Sequence, residues 1–110
     1  MAANHFESSF RALADETRRE ILRLLRDGPR TSGEVAEHFS SSWPTISRHL
    51  AVLRDAELVL TERRGQEIYY ELNTSVFQDL VQHLLDWVTP IKASKATAAS
   101  RARATKRREV

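Results

Sequence analysis

The sequence contains no cysteine, which excludes disulfides, thiolate metal ligands and cysteine nucleophiles. Its glycines, Gly28, Gly33 and Gly65, are too scattered to form a phosphate-binding glycine-rich loop. No apolar run approaches the roughly 18 residues of a membrane-spanning helix. The first ten residues include an acidic side chain and no apolar stretch, so they do not resemble a secretory signal. A cytoplasmic protein is therefore expected.

Charge is unevenly distributed along the 110 residues, which carry a formal net charge of +2. Residues 1–91 contain 10 Lys and Arg against 14 Asp and Glu, which gives −4. Residues 92–110 contain seven Lys and Arg and one Glu, which gives +6, and they have no large apolar residue before Val110. This last segment is predicted to be a basic disordered tail, because it cannot bury a core. One folded domain is predicted over residues 1–91.

Apolar residues recur at helical spacing near the start of the chain. Phe6, Phe10 and Leu13 lie at i, i+4 and i+7, which predicts a short first helix behind a cap at Asn4. Asp15 is a good N-cap residue and precedes a second apolar stripe. These patterns predict two consecutive helices before the first glycine.

Two more helices are predicted with a short polar segment between them. The residues Thr31–Glu34 read T-S-G-E and match the S/T-x-x-E capping box, so they open a third helix. Ser42 can cap a fourth helix, whose buried stripe is Ile46, Leu50 and Leu53. About four residues separate the two helices, which is the spacing of a helix-turn-helix.

The apolar period then changes from helical to alternating. Residues 58–63 and 67–72 are rich in strand-forming side chains, and Gly65 lies in the short loop between them, so a β-hairpin is predicted. A last helix is predicted to begin after Asn73 or Thr74. The fold class is therefore mainly α with a small β-hairpin, in the order of a winged helix-turn-helix.

Two surfaces of this fold suit double-stranded DNA. The outward face of the fourth helix presents Thr45, Ser47 and Arg48; hydroxyls can bond to bases or phosphates, and an arginine can bind guanine through two hydrogen bonds. The hairpin tip presents Arg63 and Arg64, which suit phosphate or minor-groove contact. Ordinary solvated polar residues would give the same composition, but the helix-turn-helix spacing favours the DNA interpretation.

Several segments together resemble one family. TRREILRLLRDGP, TSGEVAEHF, PTISRHLAVLRDAELV and ERRGQEIYYELN are similar to the ArsR-type family of bacterial winged-helix repressors, over residues 6–89. The ending NTSVFQDLVQHLLDW resembles the SdpR-like branch of autorepressors in that family. The resemblance implies a homodimeric repressor that reads DNA with the helix at 42–54. The DNA-contacting residues that the resemblance implies are Ser42, Thr45, Ser47, Arg48, His49, Arg63 and Arg64.

Trp43 departs from this resemblance, since a small or polar residue is expected at that position. Its indole could stack on a sugar or a thymine methyl group, or it could pack against the neighbouring helix. An exposed tryptophan close to DNA is the favoured interpretation.

The last helix has a wider apolar face than one small domain needs. Together with the first helix it is predicted to form a twofold dimer interface, which requires an inverted-repeat operator. An unusually apolar core helix is the alternative. The predicted interface residues are Phe6, Phe10, Val76, Phe77, Leu80, Leu84, Trp87 and Val88.

Metal sensing and catalysis are not predicted. The cysteine-based metal sites of similar proteins are excluded here, and no cofactor is expected. Asp79 and His83 could form a two-ligand half-site at i, i+4, with Asp86 nearby, but surface residues are the favoured interpretation. No nucleophile elbow or paired-carboxylate motif is present, so an enzyme is not expected.

The sequence therefore predicts a metal-independent, sequence-specific DNA-binding repressor that acts as a homodimer on an inverted-repeat operator, with its own promoter as a candidate target. The alternative is a protein-interaction module whose apolar last helix docks a partner that controls DNA binding. The tail is interpreted as a non-specific DNA clamp, with a spacer or a membrane-surface anchor as alternatives; the lack of Trp, Phe and Leu makes membrane insertion the weakest of these.

Overall fold

The computed structural model describes residues 2–90, and their side chains from Phe6 onward. Within that range the elements are α1 (Ala2–Leu13), α2 (Glu16–Leu25), β1 (Arg30–Thr31), α3 (Ser32–Ala36), α4 (Trp43–Asp55), β2 (Val59–Arg64), β3 (Glu67–Leu72) and α5 (Thr74–Val88). The predicted tail at 92–110 lies outside the described residues. No helix within residues 2–90 has the length and apolar character needed to cross a membrane.

Side-chain caps determine where the helices begin. Asp15 accepts a backbone N–H of the first turn of α2 at 3.0 Å. Thr31 and Glu34 form both hydrogen bonds of the predicted capping box, at 3.1 and 2.9 Å. The prediction of a cap at Asn4 is wrong, because α1 begins at Ala2 and residue 4 lies inside the helix.

The predicted hairpin forms two strands of a three-stranded antiparallel sheet with the order β1-β3-β2. Gly65 takes a φ of 64° in its two-residue loop, a left-handed conformation that costs glycine little. Strand β1 was not predicted, because two residues give no periodic pattern. It pairs Arg30 with Tyr70 and Thr31 with Tyr69.

The core lies between the helices α1–α4 and the base of the hairpin. The predicted stripe of α4 is fully buried, and Leu58 and Val59 continue the core into β2. Val76 and Phe77, in the first turn of α5, pack against this core. The chain divides within α5 into two units, Met1–Phe77 and Gln78–Val110. The buried residues of the hydrophobic core are Ala12, Ile21, Leu22, Leu25, Val35, Ile46, Leu50, Leu53, Ala56, Leu58 and Val59.

Candidate nucleic-acid interface

The amino-terminal end of α4 is held by a hydroxyl cap. Ser42 Oγ accepts the backbone N–H of Thr45 at 3.4 Å and donates to Thr45 Oγ1 at 3.1 Å. Both side chains are therefore fixed at the positive end of the helix dipole, which attracts anions such as phosphate. Ser42 is exposed and Thr45 is half-buried.

Trp43 combines features of both interpretations made from the sequence. Its side chain is 58% exposed. Its indole Nε1–H also donates to Ser32 Oγ, at the start of α3, at 3.3 Å. The indole is thus oriented by the neighbouring helix while much of its surface remains open to solvent.

Ser47 and Arg48 lie on the side of α4 that faces away from the core. Both are exposed, whereas Ile46 and Leu50 on the opposite side are fully buried. Neither side chain makes a hydrogen bond or ion pair with another residue of the described chain. Because the guanidinium of Arg48 is uncommitted, it can bind a base edge without first breaking an internal contact.

His49 faces a different direction from its neighbours. It is half-buried, and its Nδ1 lies 3.2 Å from Nη1 of Arg18 on α2. Arginine can only donate, so Nδ1 of His49 is the acceptor in this contact. Arg18 also donates to the backbone carbonyls of Ala12 and Arg11, at 2.8 and 3.2 Å. His49 therefore connects α4 to the junction of α1 and α2.

The electrostatics of this junction include the cap of α2. The backbone N–H of Arg18 donates to the carboxylate of Asp15 and holds its pKa below the ordinary value of 3.8. Burial opposes this effect and raises the pKa, while electrostatic interactions with His49 and with Arg18 lower it further. Asp15 therefore caps α2 as a carboxylate at neutral pH.

Arg63 and Arg64 lie on opposite faces of the hairpin. In the register of β2 and β3, Arg63 pairs with Ile68 and Arg64 pairs with Glu67. Arg64 donates to Glu62 at 3.1 Å, and its guanidinium lies 4.4 Å above the ring centroid of Tyr69. Arg63 is exposed and makes no ion pair among residues 6–90, so it is the more available of the two for a phosphate.

The predicted interface residues differ in how far they are buried. Phe6 and Phe10 are half-buried on α1, and Val76 and Phe77 pack against the core. Leu80 is buried. Exposed apolar side chains cover much of the rest of α5, including two that were not predicted as interface residues, Val81 and Leu85. The exposed set is Val81, Leu84, Leu85, Trp87 and Val88.

Three polar residues of α5, Gln82, His83 and Asp86, have local partners. Gln82 donates to Asp86 at 3.1 Å, and the rings of His83 and Trp87 make an edge-to-face contact at 5.5 Å. Across the described part of the chain, no three or more His, Cys, Asp or Glu side chains are grouped so that they could hold a metal ion.

The pairing of α3 with α4, followed by the β2–β3 hairpin, defines a winged helix-turn-helix protein. The family described as "Bacterial regulatory protein, arsR family" matches residues 15–61. The chain is similar to the transcriptional repressor SdpR of Bacillus subtilis (strain 168), with 49% identity over 79 residues that cover 72% of this chain and 88% of the relative. The chain belongs to the ArsR family of bacterial regulatory proteins.

Solved structures agree with this assignment. An ArsR-like transcriptional regulator from Rhodococcus sp. RHA1 superposes with a TM-score of 0.74 at 26% identity, covering 92% of this chain and 94% of that one. A homodimeric winged helix-turn-helix DNA-binding domain from Mycobacterium bovis gives 0.64 at 28% identity, covering 77% and 82%. The resemblance seen in the sequence is confirmed: the chain is a transcriptional repressor of this family and not an enzyme.

Proposed function

We propose that the protein represses transcription as a homodimer by placing α4 in the major groove of an inverted-repeat operator and excluding polymerase from an overlapping promoter. The observation that supports this most is the division of α4 into a fully buried stripe and an outward face with exposed Ser47 and Arg48. Arg48 would bind guanine, while Thr45 and Ser47 would bind bases or phosphates. Ser42 and Trp43 would contact the sugar–phosphate backbone beside them.

Charge supports separate roles for the domain and its tail. Residues 1–91 carry −4, so DNA repels the domain at long range, whereas residues 92–110 carry +6. The tail would act as a non-specific clamp that speeds association, and Arg63 would add a phosphate contact from the hairpin. Removal of residues 92–110 is expected to flatten the dependence of affinity on salt concentration.

The exposed apolar side chains of α5 support a twofold dimer. A homodimeric neighbour of known structure has the same fold, and water would otherwise cover an apolar surface that includes Trp87 and Val88, which are 63% and 74% exposed. A twofold dimer would present its two α4 helices to half-sites about one DNA turn, or a small multiple of it, apart.

DNA binding is proposed to be independent of metal ions. The absence of cysteine removes the thiolate ligands that soft metals prefer. Addition of zinc to the protein–DNA complex is expected to leave the binding isotherm unchanged, and a several-fold change in affinity would contradict this part of the proposal. The protein is expected in the cytoplasm, where its DNA is located.

Footprinting on a DNA fragment that carries the promoter of the protein's own gene tests the proposed function. We expect protection of an inverted repeat that overlaps the promoter, at concentrations well below those that protect unrelated DNA. Equal affinity for the promoter fragment and for a scrambled fragment of the same length would overturn the proposal.

A further inference from the structure

A concave surface separate from the outward face of α4 lies between the start of α3 and strand β3. This wing groove has a volume of about 680 Å³, within the range of roughly 300–1,000 Å³ that is typical of small-molecule sites. None of the described residues that line it is Lys, Arg or His. The residues that line it include aromatic and acidic ones, namely Trp43, Tyr69, Tyr70, Glu34, Glu37 and Glu67, of which Tyr70 also packs against the core.

The aromatic walls are suited to a cation. The guanidinium of Arg64 lies 4.4 Å from the centroid of the Tyr69 ring, so one face of this ring already holds a positive charge of the chain itself. Trp43 offers the ring type that binds cations best, and its hydrogen bond to Ser32 fixes its orientation. The groove therefore contains aromatic surfaces that are in place before any ligand arrives.

The acidic walls are only partly neutralised. Glu34 accepts the backbone N–H of Thr31 within the capping box. Glu37 and Glu67 are exposed and make no ion pair with any residue of the described chain. The unpaired carboxylates of Glu37 and Glu67 attract cations and repel DNA phosphates, and they outnumber the one guanidinium, that of Arg64, that lies against the Tyr69 ring.

We propose that the wing groove binds an organic cation, a hydrophobic amine or quaternary ammonium compound, between its aromatic rings and the carboxylates of Glu37 and Glu67. Aromatic rings beside carboxylates favour a cation with an apolar body. A bare metal ion fits less well, since no described group of three ligating side chains is present. The volume admits a ligand larger than a single ammonium group.

Such a ligand would act on DNA binding through Trp43, a step that rests on the proposed function. The indole is a wall of the groove and also a predicted DNA contact. A ligand that covers it competes with the operator for the same side chain, so occupancy weakens operator binding. The groove is then an effector site beside the reading helix.

Ligand binding can be measured without DNA by titrating the isotopically labelled full chain with benzyltrimethylammonium and following its two indole N–H signals by NMR. The chain has two tryptophans, so Trp87 is an internal control for Trp43. We expect a saturable shift of the Trp43 signal, and none with benzyl alcohol, which has the ring without the charge. The double variant E37Q/E67Q should bind about tenfold more weakly or worse, because the charge is lost and the shape is kept.

The matched control is D55N/E71Q, which removes two acidic charges outside the groove and should bind the cation as the natural chain does. Three results would each contradict the proposed cation site. They are the absence of a saturable shift of the Trp43 signal, equal binding of benzyl alcohol, and an equal loss of cation affinity in the two double variants.

The effector step is measured separately, as the operator affinity with and without saturating benzyltrimethylammonium. An increase of the dissociation constant of at least about threefold, absent in E37Q/E67Q, is expected; cation binding with unchanged operator affinity would overturn the effector step alone. If the protein binds no operator at all, the proposed function is wrong. The NMR titration then still tests cation binding in the wing groove, because it does not depend on DNA.

Discussion

Arg18 joins α4 to the end of α1, since its Nη1 lies 3.2 Å from Nδ1 of His49 while its Nε donates to the carbonyl of Ala12 at 2.8 Å. One guanidinium thus donates hydrogen bonds to backbone carbonyls in the last turn of α1 and to a ring nitrogen on α4. The orientation of α4 on the domain depends on this contact as well as on apolar packing.

Replacement of Arg18 by alanine is expected to lower the free energy of unfolding by about 1.5–3 kcal/mol, because it leaves acceptors on α1 and α4 without their charged donor. H49A should cost about 1 kcal/mol, since it removes one of the three contacts. Urea unfolding measures both values. The control is R19A, which removes one exposed bond to the carbonyl of Leu13; a loss in R18A no larger than in R19A would contradict the linking role.

Asp15 should make the stability of the domain depend on pH. Its pKa is lowered in the folded state, so its charge contributes stability above the ordinary value of 3.8, and that contribution is lost as the pH falls through the lower, folded value. D15N keeps a good cap and removes the charge, so it should be less stable at pH 7 by about 0.3–1 kcal/mol. Unfolding curves from pH 7 to pH 2 should converge at the acid end, and a constant difference would contradict this assignment.

The two hairpin arginines are expected to differ in DNA binding. R63A should weaken binding to all sequences and reduce the slope of log affinity against log salt by about one, as expected for one lost phosphate contact. R64A should have a smaller effect, because this side chain is engaged by Glu62 and Tyr69. Fluorescence anisotropy at several salt concentrations gives both slopes. Equal slopes for the two variants would contradict the distinction drawn from their opposite faces.

Self-association through α5 is tested with a charge at its apolar surface. L84E should raise the dissociation constant of the dimer by about 30-fold or more, because a carboxylate would be buried in an apolar interface. Q78E, on the same helix at an exposed polar position, is the control and should leave it unchanged. Sedimentation at micromolar concentration distinguishes the outcomes. A natural chain that is only monomeric would exclude the dimer and favour a partner protein on this helix.

Local patterns predicted most of the fold. The caps at Asp15, Thr31 and Ser42 and the positive φ of Gly65 depend on side chains and backbone within a few residues, and all four were visible in the sequence. The resemblance to one family extended that prediction to the whole architecture.

Contacts between distant segments could not be predicted in the same way. Strand β1 exists only because Thr31 pairs with Tyr69, 38 positions later in the chain. The spacing of His49 is compatible with the outward face of α4 and also with the edge of its buried stripe. Only the position of Arg18 distinguishes the two. The wing groove likewise brings Glu37 and Glu67 to one surface, which no local pattern indicates.

Sequence reading by α4 is tested most directly by comparing two of its arginines on the promoter fragment. Arg48 is exposed and uncommitted, whereas Arg54 is exposed near the end of the helix and pairs with Asp55 at 3.4 Å. R48A should weaken operator binding by about 5- to 150-fold, the value of one bidentate base contact, and change binding to scrambled DNA much less. R54A should change both by less than about threefold. Equal losses in the two variants, or a loss in R48A that is the same on both DNAs, would contradict sequence reading by α4.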